Sequence, residues 1–167
     1  MIDLPQTTEL SDSPQCILVM RHAEKPVDMN ISDLAPAGHA RAEALAEYIP
    51  RTFGVPDAIF AAALSKHSER SLQTVMPLSK VTGVLIDATI ADEDYAVLAS
   101  KVLSDVKLQG ARVVICWHHG RIPALMNALG AAPGSYPDPW GQEVFNLILR
   151  VVFVDSYAQV AHIVEPF

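Results

Sequence analysis

The stretch Cys16-Ile17-Leu18-Val19-Met20-Arg21-His22-Ala23-Glu24-Lys25-Pro26 runs from an apolar, partly β-branched segment straight into basic side chains. A short apolar run of this kind predicts a buried strand over 16–20. Arg21 and His22 then stand where that strand leaves its sheet. In open α/β sheets ligands bind at the carboxyl ends of the strands. A cationic pair there, with Lys25 behind it, suits an anion better than it suits a purely structural strand end.

The rest of the composition narrows the classes open to this chain. Its 167 residues fit one domain with one core, and a 50% hydrophobic content places it among globular rather than disordered chains. Residues 1–14 are polar and acidic and read as a loose arm, not as a signal peptide. No apolar run approaches the roughly 18–20 residues of a membrane span. Cys16 and Cys116 both sit inside apolar runs and read as buried free thiols, which points to the cytoplasm. The formal charge of −7, with no cluster of Lys or Arg, argues against nucleic acid as a partner. An acidic protein that binds an anion does so by focusing a few cations in a cleft.

Outward from the first strand, segments alternate. Residues 30–38, with Pro36 and Gly38, lead into an Ala/Glu/Leu-rich helix over 39–49, closed by Pro50 and Gly54. A short strand is expected over 57–63, a helix over 65–80 and a strand over 84–87. Asp92, Glu93 and Asp94 fit the first turn of a further helix, ended by Gly110. Residues 112–117 form the most apolar strand. Ile122, Leu125, Met126 and Leu129 mark one helical stripe, with Pro123 in its first turn and Gly130 as its cap. Residues 133–141 are a Pro/Gly-rich loop, and 144–154 and 157–164 read as two strands joined at Asp155-Ser156. The alternation predicts a three-layer α/β/α sandwich with a mostly parallel sheet, spanning the chain as one domain.

If the strands are parallel, three places share one sheet edge. They are Arg21-His22, Arg70 near the start of the helix after the second strand, and His118-His119-Gly120 at the end of strand 112–117. These blocks resemble the histidine phosphatase superfamily, the phosphoglycerate-mutase-like proteins. Arg21-His22-Ala23 resembles the Arg-His-Gly signature, and Glu24-Lys25-Pro26 continues it as a common variant does. Residues 34–42 resemble the Leu-Thr-x-x-Gly-x-x-Gln-Ala block, with Ala35 and Arg41 in place of its Thr and Gln. Arg70-Ser71-Leu72-Gln73-Thr74 matches Arg-x-x-Gln-Thr, and residues 114–120 resemble the strand that ends in a second catalytic histidine. Four blocks in order across residues 16 to about 130 are specific where one alone is not.

The resemblance implies a metal-independent phosphatase that needs no cofactor. Its substrate would be a phosphorylated small molecule or a phosphoprotein. The chemistry agrees. Phosphoryl transfer needs an in-line nucleophile and cations around the equatorial oxygens. A neutral imidazole serves as the nucleophile, here His22, giving a phosphohistidine intermediate. Arg21 and Arg70 offer planar forks matched to phosphate oxygens. For the second histidine, counting back from Ile122-Pro123 selects His118, whereas the His-Gly dipeptide selects His119, the preferred one. Glu93 is the expected acid for the leaving group, chosen from Asp92, Glu93 and Asp94. Glu24, Lys25 and Arg41 are candidate substrate-binding residues.

Three alternatives compete. A mutase shares the nucleophile but returns the phosphoryl group to product, usually under longer insertions than this chain has room for. A catalytically inactive phosphate-binding or regulatory module would keep the fold. A metal hydrolase would use His22, Glu24, His118 and His119, although their spacing fits no helical His pair and no clear carboxylate set accompanies them.

Overall fold

The structure, a computed structural model, describes residues 12–167. Residues 1–11, most of the arm expected over 1–14, lie outside the described residues. The elements run β1 (Cys16–Arg21), α1 (Pro36–Phe53), β2 (Ala58–Ala61), α2 (Arg70–Thr82), β3 (Ile86–Asp87), α3 (Tyr95–Ser104), β4 (Arg112–Trp117), α4 (Ile122–Ala128), β5 (Leu147–Val154) and β6 (Tyr157–Val164). They form one six-stranded sheet in the order β3-β2-β4-β1-β5-β6. The β3, β2, β4 and β1 strands are mutually parallel, whereas β5 and β6 are antiparallel. The antiparallel pair follows from its connection, since a two-residue turn joins only antiparallel strands. Asp155 and Ser156 both take positive φ, 49° and 69°, as the favoured tight hairpin turn requires.

Alternation along the strands builds the three layers. Leu18 and Met20 face one side, where they pack with Leu45 and Ile49 of α1 and Val75 and Leu78 of α2. Ile17 and Val19 face the other, against Leu98 and Val102 of α3 and Leu125 and Met126 of α4. Full burial of each such side chain contributes about 1.5–3 kcal/mol before entropy is set against it. Both cysteines are buried and free, as their apolar settings imply. No helix among the described residues is long and apolar enough to cross a membrane.

Element boundaries depart from the sequence pattern at Pro50, expected to close its helix, and at polar turns. Pro50 and Pro77 lie inside α1 and α2. Each removes one helical N–H, but the adjacent Ile49 and Leu78 are buried on the sheet and carry the helix across the gap. Residues 65–69 form a turn rather than the start of α2, so Arg70 becomes its first residue. Asp92–Asp94 form a separate 3₁₀ turn before α3, which ends at Ser104, well short of Gly110. Gly130, with φ of 91°, follows Leu129, the C-cap of α4.

The β1–α1 connection is fastened to the start of α1. Ala35 N–H donates to the Glu24 carbonyl (2.9 Å). A Cβ built on buried Gly38 would stand 2.4 Å from that same oxygen. Only glycine allows this close an approach.

Candidate active site

The β1 and β4 strands pair in parallel register from Cys16↔Arg112 to Arg21↔Trp117. One residue further on stand His22 and His118, held by a bond from His22 N–H to the Trp117 carbonyl (3.1 Å). Both fall on the α1/α2 side of the sheet by parity. Their imidazoles meet edge to face, with centroids 5.3 Å apart and planes at 69°. His119 has the opposite parity and lines a separate cavity beside α4 and the 133–141 loop. The structure therefore brings His118, and not His119, against His22.

His22 is almost wholly buried. Its Nδ1 lies 2.7 Å from the Ala23 carbonyl. Because a carbonyl only accepts, Nδ1 carries the proton and Nε2 keeps its lone pair. Burial first, then the charges of His118, Arg21 and Arg70, push the imidazole down to about 3. His118 is pushed down to about 4, by burial and then by Arg70, His119 and Arg21. Both rings are therefore neutral at physiological pH.

The two arginines supply positive charge with donors to spare. Arg21 is buried, donates from Nη1 to the Gln142 carbonyl (2.6 Å) and stacks its guanidinium 4.0 Å from the Phe145 ring centroid. Arg70 donates from Nη1 to the Ile31 carbonyl (2.9 Å). Arg21 Nε and Nη2 and Arg70 Nε are buried with no hydrogen-bond partner. Leaving a buried donor unpaired costs about 1–3 kcal/mol.

Gln73 and Thr74 had no role in the sequence reading beyond completing a motif, and both are anchors. Thr74 Oγ1 accepts from Ala23 N–H (2.9 Å) and donates to the Arg70 carbonyl (2.7 Å). One hydroxyl thus ties the residue after His22 to the helix turn that carries Arg70. Gln73 Oε1 accepts from Leu34 N–H (2.9 Å), and its amide donates to Asp33. The Arg-x-x-Gln-Thr spacing puts all three on one helical face.

A cavity of about 440 Å³ on the other side of His118 is lined by Arg70, Ser68, Asp92 and Glu93. Glu93 is exposed, but Asp92 is half-buried. The Asp92 Oδ1 atom is buried without a partner, and Oδ2 lies 3.8 Å from Arg121 Nε. Its main-chain carbonyl accepts from the indole N–H of fully buried Trp117 (3.0 Å). Burial pushes the Asp92 carboxyl up to about 6 against the pull of Arg121, and Glu93 adds to the rise.

Glu24 and Arg41 are drawn together elsewhere. Arg41 Nε donates to Glu24 Oε1 and Oε2 (3.0 and 3.1 Å) and Nη1 to Glu165 Oε2 (2.8 Å). This network fastens β6's exit to the loop after His22. Lys25 Nζ lies 3.9 Å from Met29 Sδ, and its charge reaches His119. Among the described residues no group of three or more His, Cys, Asp or Glu is placed to hold a metal ion.

No protein-family model matches this sequence, and no curated protein sequence matches it. Solved structures do match. A protein histidine phosphatase SixA complexed with tungstate is 14% identical, with a TM-score of 0.66 over 89% of this chain and 96% of its own. A mycobacterial glucosyl-3-phosphoglycerate phosphatase with inorganic phosphate is 15% identical, with a TM-score of 0.58 over 92% and 97%. A phosphoserine phosphatase from Entamoeba histolytica with 3-phosphoglyceric acid is 16% identical, with a TM-score of 0.59 over 87% and 94%. The chain has the fold of the phosphoglycerate-mutase-like histidine phosphatases, as its motif blocks imply.

Proposed function

We propose that this histidine-phosphatase-like chain hydrolyses phosphomonoesters through a phosphohistidine on His22. The observation that carries the reading is the set of unpaired, buried guanidinium nitrogens of Arg21 and Arg70 beside an imidazole whose free Nε2 is unprotonated. A tetrahedral dianion satisfies such donors bidentately, where water satisfies them less completely.

In the first step the Nε2 lone pair of His22 attacks phosphorus and the ester P–O bond breaks. Arg21, Arg70 and the N–H of neutral His118 stabilise the equatorial oxygens. The leaving oxygen takes a proton from a carboxyl group across the cavity. Glu93 is the residue expected from sequence, but Asp92 fits the task better. Its carboxyl is partly desolvated, and a group that titrates near 6 holds a usable fraction of protonated acid at neutral pH. In the second step water attacks the phosphohistidine, its proton passes to the Asp92 carboxylate, and phosphate leaves with His22 restored.

No step requires a metal. The test is turnover of 4-nitrophenyl phosphate with and without chelator, in the parent protein and in His22→Ala, with acid-labile phosphate trapped on the protein. Chelator-resistant turnover that disappears in the variant supports the reading. Activity abolished by chelator, or retained in His22→Ala, overturns it.

A further inference from the structure

Three ties hold the backbone that follows β1, and each comes from a different element. His22 N–H donates to the Trp117 carbonyl of β4 (3.1 Å). Ala23 N–H donates to Thr74 Oγ1 of α2 (2.9 Å). The Glu24 carbonyl accepts from Ala35 N–H at the start of α1 (2.9 Å). The first and last run from backbone to backbone, so a change of side chain does not remove them. The middle one depends on a single hydroxyl.

Thr74 is 1% exposed and lies inside α2. The Arg70 carbonyl only accepts, so the Thr74 hydroxyl hydrogen is committed there (2.7 Å) and a lone pair faces Ala23 N–H. Bonding back to residue i−4 slightly destabilises a helix, so α2 itself gains nothing from this hydroxyl. Valine would fill a similar space with a similar helix propensity. What threonine adds here is the oxygen that receives Ala23.

Ala23 in turn sets His22. Its carbonyl receives Nδ1–H (2.7 Å), which leaves the Nε2 lone pair free. A neutral imidazole without a fixed acceptor spreads between its two tautomers, and the Nε2–H form has no lone pair to offer phosphorus.

Resting on the phosphatase reading above, we infer that Thr74 is a positioning residue for the nucleophile. It acts through Ala23 rather than on substrate. Its hydroxyl fixes the Ala23 backbone, and that backbone keeps His22 in the Nδ1–H tautomer. Its bond to the Arg70 carbonyl holds the first turn of α2 against the same segment.

The test is NMR of the histidine ring nitrogens at neutral pH in the parent, Thr74→Val and Thr74→Ser, with kcat and KM for 4-nitrophenyl phosphate. The parent should show His22 with Nδ1 protonated and Nε2 bare. Thr74→Val should show both tautomers of His22 and a kcat lower by roughly 10- to 100-fold at an unchanged KM. Thr74→Ser keeps the hydroxyl and should restore the single tautomer and most of kcat. A threonine that only stabilised the fold would change the melting temperature and leave the tautomer single. A single Nδ1–H tautomer or a parental kcat in Thr74→Val, or a valine defect that serine does not relieve, overturns the proposal. If Thr74→Val does not fold, Thr74→Cys under reducing conditions, whose sulfur is a weaker acceptor, is read by the same criteria. If the parent turns over no ester, the phosphatase reading fails instead, and the tautomer of His22 alone decides the role of Thr74.

Discussion

The imidazoles of His22 and His118 are neighbours on one face of the sheet, and His118 disfavours protonation of His22. Burial dominates in both, so neither ring takes up a proton until well below the usual 6.5. NMR titration of the two imidazoles in the free protein should give midpoints below 5. A midpoint near 6.5 for either would show that it sits in water and not in the cluster. Replacing His22 with alanine should cut phosphatase turnover by about 10³-fold or more.

In the proposed reaction Arg21 and Arg70 act through fixed donors. Alanine at either position should lower kcat by on the order of 10²–10³-fold. Lysine should restore only part, because it replaces a planar fork with a point charge. Full rescue by lysine, measured by steady-state kinetics, would mean that charge alone matters and that the unpaired guanidinium nitrogens have no role.

The acid assignment separates Asp92 from Glu93. Asp92→Asn should slow alkyl phosphates by about 10²-fold or more while sparing esters with good leaving groups, which need little protonation. Glu93→Gln should have a small effect on both. A large alkyl-selective loss in Glu93→Gln, with Asp92→Asn near normal, would return the role to Glu93.

Glu165 gives a pH signature in stability. Its side chain is buried against Arg41, and burial pushes its carboxyl up to about 7 despite that partner, with Glu24 adding to the rise. A carboxyl whose folded value exceeds its unfolded value near 4.5 binds more protons when folded. Its contribution to stability is therefore fully present below about pH 4.5 and is lost as pH rises to about 7. The histidines act in the opposite sense, so the difference between parent and variant is the useful quantity. Denaturation of Glu165→Gln should show its greatest gain over the parent above pH 7 and a smaller one near pH 5. A gain independent of pH would remove Glu165 as the titrating group.

Two substitutions at the start of α1 have opposite signs. Ala35 is its N-cap, extended at φ −67° and ψ 162°, with no side-chain bond to the helix. Ala35→Thr should stabilise by about 0.5–2 kcal/mol by capping a free N–H. Gly38→Ala drives a methyl group into the Glu24 carbonyl and should cost about 1–3 kcal/mol. Thermal melts read both, and a Gly38→Ala protein as stable as the parent would show that the loop after His22 yields freely.

The apolar runs at 16–20 and 112–117 were legible as strands because local composition suffices to choose a buried strand. Arg21, His22 and Arg70 were legible as one edge because alternating strands and helices force parallel pairing. Periodicity also placed the α4 stripe. It fails at Pro50, which lies inside α1, because proline's local cost is visible in sequence and the packing that outweighs it is not.

What the sequence by itself determined about this protein is its α/β class, the composition of the candidate histidine and arginine cluster and the strand ends that carry it. The tertiary structure alone decided which histidine meets His22. A one-residue slip of β4 against β1 would exchange His118 for His119, and no pattern within either strand sets that register. It likewise decided that the Asp92 carboxyl is desolvated while that of adjacent Glu93 is not, and that Arg41 bonds Glu24 and Glu165, 17 and 124 residues away. Burial and long-range pairing belong to the packed whole, and a linear sequence shows only the side chains available for them.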